Sequence, residues 1–146
     1  MSTGSAWRPS SVRRRRGVLD VEVIGLERSR EAVAPGELEA LCSVAIASGG
    51  VEEGHVAVVF VGVRRMREVN RTHRGIDAPT DVLSFPVDGV DGAPGPRELG
   101  DILICPARTA DEREAVLHGA LHLAGMDHES DDGEMLALQR EILGWR

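Results

Sequence analysis

Three of the five histidines in this 146-residue chain fall within eleven consecutive positions, His118-Gly-Ala-Leu-His122-Leu-Ala-Gly125-Met-Asp-His128. Residues at i and i+4 of a helix share one face and rise about 6 Å apart, so two imidazoles there can meet on one cation. Gly125 is placed to end such a helix in a left-handed turn, letting the chain double back with His128 as a third ligand. Three neutral nitrogen ligands with one position left open describe a catalytic zinc site, whereas structural zinc sites usually have all four positions filled by protein. Imidazole also suits nickel, copper and iron, so the donor set alone leaves the metal open. Asp127 is either a partner that orients a ligand ring or a solvated turn acid. The spacing is close to the extended zinc-protease motif H-E-x-x-H-x-x-G-x-x-H, but Gly119 stands where that motif has its general-base Glu. A peptidase is therefore disfavoured, and a metal hydrolase whose other catalytic group comes from elsewhere fits better.

Several elements must hold this constellation in place. Alternation of apolar and acidic residues over 18–24 reads as a strand, and Ser29 or Pro35 can begin a helix that runs to about Ser48 before Gly49-Gly50. The apolar, β-branched stretch 55–61 reads as a central strand buried on both faces. Val63, Met66 and Val69 recur at helical spacing, which gives a short amphipathic helix over 63–71. Residues 74–80 carry Gly75 and Pro79 and read as a loop. Strands at 81–87 and 99–105 flank a Gly-, Pro- and Asp-rich segment, 88–96, expected to be exposed and mobile. Helices over about 107–124 and 132–143 complete the chain, the acids Glu129, Asp131, Asp132 and Glu134 suiting the start of the last one. The expected architecture is a single α/β (α+β) domain, with a small mixed four-stranded sheet packed with helices and a metal site on a helix near the C-terminus.

Charge and composition narrow the partners. The length suits one domain over 18–146 that buries roughly 68–70% of its unfolded surface. Seventeen Arg, no Lys and 24 acids leave a net charge of −7, which disfavours binding nucleic acid through a uniformly basic surface. The Arg are segregated, however: five lie in residues 1–17 and five between Arg64 and Arg74. Residues 1–17 read as a disordered Arg-rich arm, either an electrostatic tether to RNA, a solvated tail, or the product of an upstream start codon. No run approaches the ~20 apolar residues of a membrane span. Cys42 and Cys105 are too few and too isolated for a disulfide framework and are expected reduced and buried in a cytoplasmic protein.

Two long motifs carry a family resemblance. Residues 118–128 are similar to the H-G-x-L-H-L-x-G-Y-D-H signature of the YbeY family of bacterial endoribonucleases. Asn70-Arg71-Thr72-His73-Arg74-Gly75-Ile76-Asp77-Ala78-Pro79-Thr80-Asp81-Val82-Leu83-Ser84-Phe85-Pro86 resembles that family's N-R-x-Y-R-G-x-D-x-P-T-D-V-L-S-F-P block, and 100–105 matches its following strand. The resemblance spans about residues 18–143. It implies one Zn2+ per chain held by His118, His122 and His128, and a groove for single-stranded RNA. It also implies a functional arginine at Arg74 and a role in late ribosomal RNA maturation, namely 16S rRNA 3′ end processing and ribosome quality control, with the small ribosomal subunit or its proteins as partner. Arg74 suits that role because a guanidinium offers a phosphate two donors and stabilises the charge that grows during phosphodiester cleavage. Arg64, Arg65, Arg67 and Arg71 can extend a positive face, or can be ordinary solvated helix charges.

The chain also departs from the family. His73 and Met126 replace Tyr, and only twelve residues separate Cys105 from His118, about half the usual number. That shortening predicts nearly one continuous helix over 106–117. Besides a zinc-dependent endoribonuclease, in which His118 and Arg74 are catalytic, the sequence leaves two alternatives. One is a catalytically impaired ribosome-associated RNA-binding protein with a structural zinc; the other is a zinc hydrolase of another substrate.

Overall fold

A computed structural model of the chain describes residues 19–51, 53–87, 98–126 and 133–144. The arm 1–17, the loop 88–96 and residues 127–132, with His128 and Asp127, fall outside the described residues. Four strands, β1 (Leu19–Ile24), β2 (Gly54–Phe60), β3 (Val82–Pro86) and β4 (Glu98–Ile104), form one sheet in the order β1-β2-β4-β3. β1 and β4 both run parallel to β2, while β3 is antiparallel to β4, so the sheet is mixed. β2 is central, as its apolar run from Val56 to Phe60 predicts. β3 is an edge strand, where Pro86 costs no interior ladder bond.

Four helices cover the sheet: α1 (Pro35–Ser48), α2 (Val63–Arg74), α3 (Glu112–Leu123) and α4 (Glu134–Leu143). Because side chains alternate across a strand, β2 and β4 feed two cores. Val56, Val58, Phe60, Ile102 and Ile104 join the buried faces of α1, α3 and α4. On the opposite face, Val59, Leu103, Leu83 and Phe85 pack with Met66 and Val69 of α2. The result is a three-layer α/β domain with the histidine helix on one side of the sheet and the arginine helix on the other. Away from α2, that second face carries exposed acids, and His55 bridges Glu22 (3.2 Å) and Glu98 (3.0 Å) across three strands.

Two expectations are corrected. Residues 106–117 do not form one continuous helix: Pro106–Arg108 is a single 3-10 turn, the chain then extends through Thr109 and Asp111, and α3 begins at Glu112. The Thr109 hydroxyl donates to the Cys105 carbonyl (2.6 Å), and the Asp111 carboxylate accepts from the Glu114 N–H (3.1 Å), so local side-chain bonds end the turn and cap a new helix. Arg74 is also not in a loop. It is the last residue of α2, because the turn waits for Gly75, whose φ of 73° suits a left-handed cap.

Candidate active site at the edge of the sheet

The first turn of α3 is anchored by long-range contacts. Glu112 is fully buried, and its carboxylate accepts from the Ser29 hydroxyl (2.6 Å) and the Arg30 N–H (2.7 Å). Its own N–H donates to the Glu31 carboxylate (3.1 Å), while Arg113 bridges Glu31 and Glu37. Small residues Ala115, Gly119 and Ala120 let the helix lie close against its neighbours. Gly119 faces β4: a Cβ there would stand 2.7 Å from Ile102 Cγ2. The position that holds Glu in the zinc proteases is here directed at the sheet and filled by the only residue that fits.

His118 and His122, both half-buried, converge at the C-terminal half of α3 with their Nε2 atoms 3.2 Å apart and their rings edge to face. Beyond them the helix ends as expected. Gly125, with φ of 95°, donates to the His122 carbonyl (3.0 Å) and Met126 to the Leu121 carbonyl (3.1 Å), the paired bonds of a Schellman turn. The chain is thereby turned back just before His128. Two ring nitrogens on one tetrahedral zinc, each at about 2.0–2.1 Å, stand roughly 3.3–3.4 Å apart. The observed separation therefore fits a shared metal. Among the described residues, no group of three potential ligands converges, so the structure brings together two of the three sequence-derived ligands.

His118 also lines a cavity of about 250 Å³ with Asp81, Thr109, Asp111, Glu114 and Gln139. Gln139, on α4, was not singled out from sequence. Its Oε1 lies 2.8 Å from His118 Nδ1, and it is almost fully buried. A signal was available: Met135, Gln139 and Ile142 share one helical stripe, and a polar residue there interrupts an otherwise apolar face.

Arg74 ends α2, which lies on the other side of the sheet from α3. Its neighbour His73 packs its ring on Phe85 of β3, centroids 4.9 Å apart, while Val82, the first residue of β3, and Asp81 just before it share the cavity with His118. The edge strand thus lies between the arginine and the histidine pair. Arg74 itself is exposed, and the segment that follows it is laced to α2 at two points. The buried Asn70 donates its Nδ2 to the Ala78 carbonyl (2.8 Å), and Arg67 grips Asp77 through two bonds (2.7 and 3.1 Å). The Arg67 hydrogen bond holds the Asp77 carboxyl below its usual range. Arg64, Arg65 and Arg71 are exposed on the same helix. The sequence placed Arg64, Arg65, Arg67 and Arg71 on one helix, as found, but did not show that Asn70 and Asp77 order the segment beside them.

A family model described as "Endoribonuclease YbeY" matches residues 27–145. The chain belongs to the YbeY family. Endoribonuclease YbeY of Bacillus cytotoxicus is 43% identical over 65% of this chain and 75% of its own length. Those of Macrococcus caseolyticus and Rubrobacter xylanophilus are 37% and 36% identical, covering 86% and 84% of this chain and 94% and 93% of theirs. A solution structure of a Thermotoga maritima protein is 27% identical over 83% of this chain and 85% of that one, with a TM-score of 0.49. As a YbeY relative, the chain carries one family motif from the end of α2 through the edge strand β3, and the other on α3, which packs against that strand from the opposite face of the sheet to α2. Cys42 and Cys105 are both free and buried, as expected, and burial pushes the Cys42 thiol up to about 12. Among the described residues, no helix is long and apolar enough to cross a membrane.

Proposed function

We propose that this chain is a single-strand-specific, zinc-dependent endoribonuclease acting in the cytoplasm in late ribosomal RNA maturation, at the 3′ end of 16S rRNA, and in ribosome quality control. Its partners would be single-stranded RNA and the small ribosomal subunit or its proteins. The observation that carries the reading is the convergence of His118 and His122 to 3.2 Å on one flank of β3, with Arg74 on the other. His118, His122 and His128 would hold one zinc. When bound, it supplies Lewis-acid activation at a phosphodiester. Arg74 binds a phosphate oxygen with two donors and stabilises the charge that grows as the bond breaks. Its exposed position at the end of α2 leaves the guanidinium free to reach a polyanion. The edge of β3 offers a strip on which an extended single strand can contact both flanks, which a stiff duplex would not.

The shortened segment between Cys105 and His118 ends in a capped helix with the histidine pair assembled, which favours an active enzyme over an impaired one. Purified protein stripped of metal should stop cleaving single-stranded RNA and recover with zinc. His118→Ala should lose both zinc and cleavage, whereas Arg74→Ala should keep zinc and lose cleavage. RNA binding without cleavage by the zinc-loaded wild type would instead identify the impaired, structural-zinc protein, and full cleavage by the His118→Ala, Arg74→Ala double variant would refute the mechanism.

A further inference from the structure

Gln139 is a buried polar residue on the apolar stripe of α4, between Met135 and Ile142, both essentially fully buried. Burying an amide costs free energy unless it is hydrogen-bonded, and an aliphatic side chain would fill such a stripe without that requirement. The contact it makes is specific. Its carbonyl oxygen Oε1 lies 2.8 Å from Nδ1 of His118. A carbonyl oxygen has no proton to give, so the hydrogen in this bond belongs to Nδ1. In a neutral imidazole the other nitrogen then carries the lone pair, and that nitrogen, Nε2, is the atom 3.2 Å from His122 Nε2.

We propose that Gln139 is a positioning residue that fixes His118 in the Nδ1–H tautomer, so that its Nε2 lone pair is committed to the shared metal position before any metal arrives. The inference rests on the reading of His118 as a zinc ligand. Free histidine side chains in water favour the opposite tautomer, with the proton on Nε2, which cannot ligate through that atom until the proton moves. Gln139 removes that step and also fixes the ring plane. Its Oε1 can accept only where Nδ1 points, and α4 is held in place by Met135 and Ile142. Two Nε2 lone pairs at 3.2 Å would repel, so either a proton on His122 Nε2 or a cation must lie between the rings. With His118 already set, replacing that proton by a metal requires no tautomer change at His118.

The test uses the full-length chain labelled with 15N at histidine. In metal-free protein, at a pH well above the imidazole range of about 6.5, the ring-nitrogen couplings of His118 should report Nδ1–H in the wild type and in Gln139→Glu. In Gln139→Leu they should report the Nε2–H form. Zinc affinity, measured against a competing chelator, should fall about 10–100-fold in Gln139→Leu. It should be retained or tightened in Gln139→Glu, whose carboxylate is the stronger acceptor. A residue that merely filled space would affect thermal stability in metal-free protein and leave the tautomer alone. If Gln139→Leu does not fold, the wild-type and Gln139→Glu spectra still decide. An Nε2–H signal for His118 in the wild type overturns the proposal, as does a Gln139→Leu variant with unchanged tautomer and unchanged zinc affinity. If the wild type binds zinc, His118→Ala does not and Gln139→Leu binds normally, only the role of Gln139 falls. If the wild type binds no zinc, both readings fall.

Discussion

Replacing Gly119 by Ala tests whether the metal helix is seated as tightly as its sequence suggests. At an exposed helical position the change would stabilise by about 0.5–1 kcal/mol through helix propensity. Here the new methyl would meet Ile102 Cγ2 at 2.7 Å, with Ile102 Cγ1 and Val82 Cγ2 both at 3.4 Å. The first distance is roughly 0.8 Å short of the separation at which carbon atoms attract. Ile102 is fully buried in β4 and β-branched, so it has no spare rotamer to adopt. The helix must yield instead, and it carries His118 and His122 with it, away from Gln139. Overpacking of this kind costs about 1–3 kcal/mol. Set against the propensity gain, a net loss of up to about 2.5 kcal/mol remains, with a central value of about 1 kcal/mol, or a fall in Tm of about 3 °C for a domain of this size. Zinc affinity should fall as well. A double-mutant cycle with Ile102→Ala isolates the contact: in that background Gly119→Ala should turn neutral or stabilising, a coupling of at least about 1 kcal/mol. Thermal denaturation of the four proteins without metal measures it. A higher Tm for Gly119→Ala in the wild-type background, or strict additivity in the cycle, would refute the reasoning.

Three further outcomes follow from the described contacts. Glu112→Ala leaves the half-buried Ser29 hydroxyl and the Arg30 N–H without their acceptor and should cost about 1–3 kcal/mol in chemical denaturation; an unchanged midpoint would show that the anchor contributes nothing. Burial, reinforced by Glu98, raises the carboxyl pKa of Asp101, so the folded state takes up its proton more readily than the unfolded one. Asp101→Asn should therefore raise Tm at neutral pH, and the advantage should fade as pH falls through the raised folded-state value and be gone below the ordinary Asp value of about 3.9; a Tm gain that persists in acid would contradict it. Because Cys42 is buried, with its thiol pushed up to about 12, and Cys105 is buried too, neither should react with a thiol reagent before unfolding. Rapid native-state labelling of either one would show that the packing around it is wrong.

The readable parts of this chain are those governed by neighbours along the backbone. The spacing of His118 and His122, the left-handed stop at Gly125 and the burial stripe of α2 follow from helical geometry, and β2 announces its central place by its apolar run from Val56 to Phe60. The two misread segments were also local, but they turned on single hydrogen bonds. Asp111 capping Glu114 splits 106–117 into a turn and a helix, and the cap at Gly75 carries α2 past its expected end at Arg71 to Arg74. Residue type alone does not say which of two adjacent positions will take the cap.

By itself the sequence determined the chemistry available: an i,i+4 imidazole pair followed by a helix-stopping glycine, an arginine-rich helix, and no glutamate beside the first histidine. It also determined the family. Only the tertiary structure decided what stands around that chemistry. Gln139 reaches His118 from a different helix, Ser29 and Arg30 hold Glu112 from more than eighty residues away, and the sheet puts the arginine helix α2 and the histidine helix α3 on its two faces. The physical reason is range. Helical phase and caps act over a few bonds and are written in adjacent residues, whereas the partner of a buried polar atom depends on which faces pack together, and many sequences share the apolar stripes that choose those faces.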